Sequence, residues 1–424
     1  MATPKKRARK VVRETRKELQ TAPPPAYFLS LTIENIRAFR SAQTLDLSDG
    51  QGRPARWTVV LGDNGVGKTT LLQSIARCEA VETVAYHPAG GGNFLEQPIW
   101  IPLSIAAFSF NKILNRSSTA EADGSFVQLT ASLLRGVSLA SSEQGRVIDR
   151  WGIQGRIPLR GESPFMEPLD EWMTEDLGGL VCYGYGATRR MGTTSLADAL
   201  DQENAASLFY DHVSLLNAEE WLLQADYAAL VDSPDQEQAR RRRDQVRDVL
   251  IDLLPDVSDI RFIRPTSSTS KSGIEVQTPY GWVTINELSL GYRALIAWVV
   301  DLAYRLFERY PDSPNPLAEP AIVLVDEIDL HLHPRWQRTI MAYLTERFPN
   351  TQFIVTAHSP LIVQAATDAN IVLLRREGDH VVIDNDVEAI RGWRIDQVLT
   401  SDLDGISAAS GGGGLAARSK TPIR

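Results

Sequence analysis

The sequence predicts an α/β fold in which a mixed central sheet is joined by an antiparallel β subdomain and a helical insertion. Residues 57–61 form an apolar run that leads through a glycine-rich turn into a helical pattern. Two later apolar strands, residues 321–325 and 351–357, also end in polar side chains. Open α/β sheets bind ligands at the carboxyl ends of their strands, so we expect a ligand site there.

The glycine-rich turn has the pattern of a phosphate-binding loop. It reads Gly62, Asp63, Asn64, Gly65, Val66, Gly67, Lys68 and Thr69, with Thr70 next in the helix. Its glycines allow a tight turn with inward N–H groups, and the helix dipole adds a positive end. We expect Lys68 to meet phosphate oxygens and the Thr69 hydroxyl to bind Mg²⁺. A merely structural turn is the alternative, which the strand-turn-helix context disfavours.

Two carboxylates follow the strand at residues 321–325. We expect Asp326 to hold the metal ion and Glu327 to polarise the attacking water. The strand at residues 351–357 leads into His358, a predicted γ-phosphate sensor. Together with the phosphate loop, these residues predict an NTPase.

Composition limits the other classes of function. The net charge of 44 − 53 = −9 argues against a surface that is basic everywhere, but it leaves room for a local nucleic-acid patch. Cys78 and Cys182 lack metal-ligand spacing and favour a reducing compartment. No run approaches ~18 uncharged apolar residues, so we expect no membrane span and a cytoplasmic location.

The predicted organisation is one nucleotide-binding domain between two disordered ends. Residues 1–26 form a basic arm, residues 27–400 the domain, and residues 401–424 a glycine-rich tail. The cations from Lys5 to Lys17 suit contact with nucleic acid, or else a solvated tail.

Around the phosphate loop, two further segments have alternative interpretations. Alternation over residues 27–49 predicts two antiparallel strands. At their bend, Arg37, Phe39 and Arg40 either contact the nucleotide base or only pack against the sheet and form a polar turn.

Residues 180–190 predict a strand and a glycine-rich loop ending in two arginines, either an active-site edge or a tight turn. A strand pair is expected around residues 99–110 and 126–131.

The helical insertion is predicted at residues 204–255, with a break near Ser233 and Pro234. The run from Arg240 to Arg243 lies opposite its apolar face and either binds nucleic acid or a partner, or is a solvated surface. Three strands and then an apolar helix at residues 294–307 are expected to follow.

Ser289 and Gly291 precede that apolar helix and make a second anion-binding helix end. Because the chain already has one phosphate site at Lys68, this end best fits a nucleotide held by another subunit. Further along, Pro334 suits a first helical position for a helix ending near residue 348. His331 and His333 lack a third metal ligand, and residues 370–384 predict a hairpin.

Four motifs together resemble those of ABC-class ATPases. They are Gly-x-x-x-x-Gly-Lys-Thr at 62–69, Leu-Ser-Leu-Gly-Tyr-Arg at 288–293, Val-Asp-Glu-Ile-Asp-Leu-His-Leu-His-Pro at 325–334 and Thr-Ala-His-Ser-Pro at 356–360. The nearer match is the branch of chromosome-maintenance, RecF-like and overcoming-lysogenization-defect proteins. The Tyr-Gly-x-x-Arg loop, the short insertion and the ending at residues 392–399 also look like PtuA-like ATPases of bacterial Septu and retron anti-phage systems.

This resemblance implies an ABC-type ATPase head that binds ATP and Mg²⁺ and works as a homodimer. Two heads enclose two ATP molecules, so Ser289 and Gly291 would act in trans, Asp329 would lie at the dimer seam, and His358 would be the switch histidine. The family's metal-sensing glutamine has no certain counterpart, and Gln128 is one candidate. Only 66 residues follow His358, without room for a nuclease domain, so a separate nuclease or toxin partner is expected.

The leading functional hypothesis is therefore an ATP-hydrolysing dimer that controls a nucleic-acid-directed process, namely anti-phage defence with a separate effector. A second hypothesis is a slowly hydrolysing, nucleotide-gated scaffold that holds a toxic effector inactive. A DNA repair or recombination ATPase is the third. The insertion and the histidine-rich stretch after Glu327 disfavour a transporter ATPase.

Overall fold

A six-stranded mixed sheet forms the centre of the protein. The computed structural model describes residues 23–90, 93–103, 126–139, 145–156, 165–168, 177–193, 203–264 and 272–386. In spatial order the central strands are β16 (His380–Asp384), β15 (Asn370–Glu377), β3 (Trp57–Gly62), β14 (Thr351–Thr356), β13 (Ala321–Val325) and β9 (Cys182–Tyr185). Only β16 pairs antiparallel with its neighbour, so the predicted mixed sheet is confirmed.

The predicted antiparallel β subdomain is also present. Its five strands, in spatial order, are β2 (Gln43–Asp46), β1 (Ala26–Glu34), β6 (Phe126–Arg135), β7 (Arg146–Arg156) and β8 (Phe165–Pro168). A separate hairpin joins β4 (Ala80–Gly90) to β5 (Asn93–Pro102). A third antiparallel sheet contains β10 (Asp259–Ile263), β11 (Gly273–Thr278) and β12 (Gly281–Thr284).

Helices cover the central sheet and make up the insertion. They are α1 (Lys68–Arg77), α2 (Ala206–Phe209), α3 (Ala218–Ala228), α4 (Gln236–Leu253), α5 (Leu290–Arg309), α6 (Pro334–Gln337), α7 (Ile340–Arg347) and α8 (Pro360–Ala365), with 3₁₀ turns at Ile285–Glu287 and Pro316–Ala318. The insertion is helical as predicted, and its break falls between α3 and α4. In α4, the apolar residues at helical spacing are buried.

The hydrophobic core lies on both faces of the central sheet. Alternate side chains of β3 and β14 enter different clusters: Val59 and Val355 join one, whereas Val60 and Ile354 join the other. Helix α5 and the insertion pack on the first face, and α1 with the antiparallel subdomain packs on the second. Burial on both faces explains why these strands read as continuous apolar runs.

Several predicted details are wrong. Residues 93–102 pair with β4, and β6 pairs with β1 and β7, so residues 99–102 do not pair with residues 126–131 as expected. Residues 104–110 of that prediction lie outside the described residues. The helix after Pro334 is broken between α6 and α7, and α5 begins at Leu290, four residues earlier than expected. Ala26, predicted to end the disordered arm, already belongs to β1.

Three predicted segments lie outside the described residues. They are the cations from Lys5 to Lys17, residues 391–399 and the tail at residues 401–424.

Both cysteines are buried free thiols. Within the described ranges, none of the helices is long and apolar enough to cross a membrane.

Candidate nucleotide site

The phosphate loop turns between β3 and α1 through three glycines with positive φ. Gly62, Gly65 and Gly67 have φ values of 144°, 81° and 94°, a region that side chains with a Cβ rarely adopt. A Cβ on Gly67 would lie 3.0 Å from the Phe39 ring. Asp63, Asn64 and Gly65 at the top of the loop are exposed, so the turn is open to a ligand.

Lys68 is buried at the first position of α1 and folds back onto the loop. Its Nζ donates to the carbonyl oxygens of Gly62 and Asp63, each at 2.8 Å. Burial lowers the pKa of Lys68, and the nearby carboxylates of Asp326 and Glu327 oppose that shift. The ammonium group therefore lies inside the turn and next to the acidic strand end.

A chain of hydrogen bonds joins the phosphate loop to β13 and β14. Thr69 Oγ1 donates to Asp326 Oδ2 at 2.7 Å, and Thr356 Oγ1 donates to Asp326 Oδ1 at 2.6 Å. The Glu327 N–H then donates to Thr356 Oγ1 at 2.7 Å. Three segments distant in sequence thus hold the Asp326 carboxylate and the Glu327 backbone at one edge of the sheet.

Glu327 and His358 lie beside each other at that edge. Their Oε1 and Nε2 atoms are 3.8 Å apart, and both side chains are about one-third exposed, at 31% and 34%. The His358 N–H donates to Asp329 Oδ2 at 3.1 Å, so Asp329 binds the histidine of its own chain. The predicted base and the predicted γ-phosphate sensor are therefore neighbours.

Sequence reasoning missed one central residue of the site, Arg189. Its guanidinium donates to the carbonyl oxygens of Asp326 and Glu327, and its side chain is buried. Burial lowers its pKa to about 10, while Asp326 and Glu327 act to raise it. The signal was the loop after β9 with its two arginines, of which Arg189 is buried and Arg190 is exposed.

Ser289 and Gly291 lie at the start of α5 and do not join this cluster through any described hydrogen bond. Ser289 is the exposed N-cap of α5, and its hydroxyl caps no backbone group of the helix. Leu290 beside it is 61% exposed. Gly291 is buried against the backbone of His331, whose carbonyl oxygen would lie 2.3 Å from an added Cβ. The helix end is therefore presented to solvent beside the segment that follows Glu327.

The three residues at the bend between β1 and β2 that were expected near the nucleotide base have different surroundings. Arg37 Nη1 donates to Thr70 Oγ1 at 3.2 Å, next to the phosphate loop. Phe39 is fully buried against Gly67, so it supports the loop and cannot stack on a base. Arg40 pairs with Asp379 on the β15–β16 turn.

The metal-sensing glutamine stays unassigned. Its candidate, Gln128, lies on β6, where its amide donates to Thr130.

The run from Arg240 to Arg243 is not a uniform basic face. Arg243 pairs with Asp226, which is 4% exposed, and Arg242 donates to the carbonyl oxygens of Phe307 and Pro311. Arg240 pairs with Glu237 at 3.8 Å, and Arg241 is exposed. Arg243 therefore joins two helices of the insertion, and Arg242 joins the insertion to the C-terminal end of α5 and the residues after it.

The donor groups at the sheet edge suit Mg²⁺. The Thr69 hydroxyl and the Asp326 carboxylate supply two adjacent oxygen ligands, and Mg²⁺ usually takes one or two carboxylates together with phosphate oxygens and waters. Across the described ranges, no group of three or more His, Cys, Asp or Glu side chains is arranged to hold a metal ion. His331 and His333 therefore belong to no such group.

Two family models match the chain at the segments that form this site. Residues 196–364 match "AAA domain, putative AbiEii toxin, Type IV TA system", and residues 30–79 match "AAA domain". The second range contains the phosphate loop, and the first contains Ser289, Asp326, Glu327 and His358.

Curated relatives include ATPases of retrons and a Septu protein. The "Retron Vc95 probable ATPase" of Vibrio cholerae serotype O1 biovar El Tor is 26% identical over 75% of this chain and 68% of its own length. The "Septu protein PtuA" of Bacillus mycoides is 25% identical over 89% of this chain and 44% of its own length. The "Retron Ec83 probable ATPase" of Escherichia coli is 34% identical over 42% of this chain and 31% of its own length. The matched region thus spans less than half of the length of two of these three relatives.

Among solved structures, the chain resembles heads of SMC proteins. The SMC head bound to the C-terminal winged-helix domain of ScpA aligns with a TM-score of 0.46, 15% identity, and coverage of 84% of this chain and 97% of that chain. The SMC head from Thermotoga maritima aligns with a TM-score of 0.41 at the same identity.

The matches to both AAA models and to the three relatives confirm the resemblance that the motifs predict. The chain is thus similar to retron ATPases and to Septu PtuA, and two of its segments match AAA-domain models.

Proposed function

We propose that this protein binds ATP with Mg²⁺ and hydrolyses it in a homodimer, and that the cycle controls a separate effector in anti-phage defence. The observation that carries the hydrolytic part is the hydrogen-bonded chain from Thr69 through Asp326 and Thr356 to Glu327. It brings the phosphate loop and a carboxylate suited to act as a base to the same edge of the sheet.

Each residue of the site has a distinct task in this proposal. The N–H groups of the phosphate loop and Lys68 bind the phosphates, and Thr69 and Asp326 hold Mg²⁺. When bound, the metal neutralises charge on the phosphates. Glu327 accepts a proton from the attacking water, and His358, 3.8 Å from it, contacts the γ-phosphate. For the Lys68 ammonium to reach a phosphate, it must exchange its contacts with the Gly62 and Asp63 carbonyls.

The proposal of a dimer rests on the exposed end of α5. Ser289 and Leu290 are open to solvent, and a helix N-terminus favours an anion. Asn64 and His358 are also exposed, so the surface around the phosphate loop is free to be covered. A two-fold interface would place the Ser289 of each subunit over the triphosphate of the other.

The defence role and the separate effector rest on the similarity to the retron and Septu relatives. A nuclease or toxin is the expected partner. Nucleic acid could meet the basic segment from Lys5 to Lys17 or the exposed Arg240 and Arg241.

Steady-state turnover tests the proposal. The wild-type protein should release phosphate from ATP in a Mg²⁺-dependent reaction, and Lys68→Ala should abolish it. Glu327→Gln should lower turnover by at least about 100-fold and accumulate ATP-loaded dimers, detectable by light scattering. Wild-type turnover in Glu327→Gln would refute the assigned base.

The second candidate is a slowly hydrolysing scaffold that holds a toxic effector inactive. The same assay with and without DNA separates the two. Strong stimulation by DNA supports the nucleic-acid-directed ATPase, whereas tight ATP binding with negligible turnover supports the scaffold.

A further inference from the structure

Arg189 lies where two loops of the candidate site meet. Strand β9 runs parallel to β13, with Tyr185 opposite Val325, so the loop after β9 emerges beside Asp326 and Glu327. Arg189 follows four residues later and is 6% exposed. Its position is therefore fixed by the sheet.

The guanidinium of Arg189 contacts backbone carbonyl groups of both loops. Nη1 donates to the carbonyl oxygens of Asp326 and of Gly186, the latter at 3.3 Å, and Nη2 donates to the carbonyl oxygen of Glu327 at 2.9 Å. A planar guanidinium suits two adjacent acceptors, because its N–H groups form a fixed fork. Arg189 therefore holds the backbone of the two acidic residues through their carbonyl oxygens, not through their carboxylates.

Glu327 has a backbone conformation that needs such support. Its φ is 48°, in the left-handed region, which is unfavourable for a residue with a Cβ. Both of its backbone polar groups have partners outside the turn. The N–H donates to Thr356 Oγ1 at 2.7 Å, and the carbonyl oxygen accepts from Arg189 as well as from the Leu330 N–H of the turn itself, at 3.0 Å. A residue in such a strained backbone conformation persists where several contacts with the surrounding structure hold it in place.

Burial of this cation is poorly explained by packing alone. A buried charge is costly, and well-packed apolar side chains often replace buried ions without loss of stability. The Nε atom of Arg189 is also buried and has no hydrogen-bond partner in the described part of the chain. The bonds that Arg189 does make go to the strand end bearing the proposed metal ligand and base, and to its own loop.

We propose that Arg189 is a positioning residue for ATP hydrolysis, which fixes the left-handed turn at Glu327 and thereby aims the Glu327 carboxylate at the attacking water. It contacts neither nucleotide nor metal in this role. The inference rests on the proposed function, because it assigns to Arg189 a task in the reaction that Glu327 performs.

The test compares Arg189→Met with Arg189→Lys and with the matched control Arg190→Met. For each full-length variant, phosphate release, the Kd of a fluorescent ATP analogue and the thermal unfolding midpoint are measured. Arg189→Met should lower kcat by about 10-fold or more through misplacement of Glu327, with little change in the ATP Kd. Arg189→Lys keeps the charge but loses the fork, so it should restore only part of kcat. Arg190→Met, at an exposed neighbour, should match the wild type.

Two results would overturn the inference. One is wild-type kcat in Arg189→Met, and the other is an equal loss of nucleotide binding and turnover, which would mark a merely structural role. If Arg189→Met does not fold, Arg189→Lys decides, because full turnover in that variant would show that the bidentate contact is unnecessary. Failure of the proposed function is recognised separately, since wild type would then hydrolyse no more ATP than Lys68→Ala.

Discussion

The Thr69 hydroxyl donates a 2.7 Å hydrogen bond to Asp326 Oδ2, although 257 residues separate the two in sequence. The other carboxylate oxygen of Asp326 accepts from Thr356. Both carboxylate oxygens of Asp326 are thus held by hydroxyl groups of the protein. Such preorganisation favours catalysis because the groups need little rearrangement when the reactants bind.

Thr356 should be important for turnover, because its hydroxyl links Asp326 to the backbone of Glu327. Thr356→Val keeps the shape but removes the hydroxyl that donates to Asp326 and accepts from Glu327. The loss of these buried bonds should destabilise the protein by about 1–3 kcal/mol and lower kcat. Urea unfolding and phosphate release measure the two effects. Thr356→Ser retains the hydroxyl and is the control; equal activity of the Val and Ser variants would contradict this account.

Gly67 should tolerate alanine less well than a glycine with similar φ in an open turn. Gly67→Ala adds a Cβ 3.0 Å from Phe39 to the cost of φ at 94°, whereas the Cβ of Gly50→Ala, at φ 77°, meets nothing within 4 Å. We expect Gly50→Ala to cost about 1–2 kcal/mol and Gly67→Ala more, with weaker ATP binding. Isothermal titration with ATP and denaturant unfolding measure both. Unchanged ATP affinity in Gly67→Ala would contradict the packing of Phe39 under the loop.

Gly291→Ala should separate nucleotide binding from hydrolysis. An added Cβ would lie 2.3 Å from the His331 carbonyl oxygen, so the end of α5 must move away from the segment after Glu327. The hydrogen bonds given above for Lys68 and Thr69 involve neither Gly291 nor His331, so the ATP Kd should stay near the wild-type value while kcat falls. Gly273→Ala has only a flexible side-chain atom near its Cβ, at 3.7 Å, and serves as the control. Equal turnover of the two variants would contradict a role for this helix end.

Stability should fall as the pH rises from about 4.5 to about 7 because of Glu79. Burial raises the pKa of Glu79 from 4.5 to about 7, with Asn204, Arg305 and Arg309 acting against the shift and Glu203 adding to it. The folded state therefore keeps a proton that the unfolded state has lost, so the favourable contribution present below pH 4.5 disappears as the pH passes through 7.

Glu79→Gln removes this titration. Unfolding free energies measured from pH 4.5 to pH 8 should fall less in the variant, by about 1–3 kcal/mol. Parallel curves for the two proteins would show that Glu79 is not the titrating group.

Local patterns were sufficient to predict the central sheet and the phosphate loop. The strands at Trp57–Gly62, Ala321–Val325 and Thr351–Thr356 have all their side chains buried or nearly so, and this leaves an apolar run that is visible in sequence. The turn at Gly62 to Gly67 was equally visible, because positive φ requires glycine there.

Contacts between distant segments were not predictable in this way. The pairing of β6 with β1 joins strands that are far apart in sequence, and apolar alternation alone does not specify the partner or the register of such a pair. Arg189 lies 137 residues before Asp326, so nothing local revealed that its guanidinium would hold that strand end. Phe39 shows a similar effect: its aromatic ring suggested base stacking, but the fold buries it under Gly67.

The central claim is that two subunits share each ATP, with the Ser289 of one covering the Lys68 site of the other. The most direct test mixes Lys68→Ala subunits with Ser289→Arg subunits, each inactive alone, and measures phosphate release after co-assembly. Half of the random dimers pair the two variants and contain one intact composite site, so turnover should recover to about one quarter of wild type. A mixture that co-assembles by pull-down and yet stays as inactive as either variant alone would contradict the shared site.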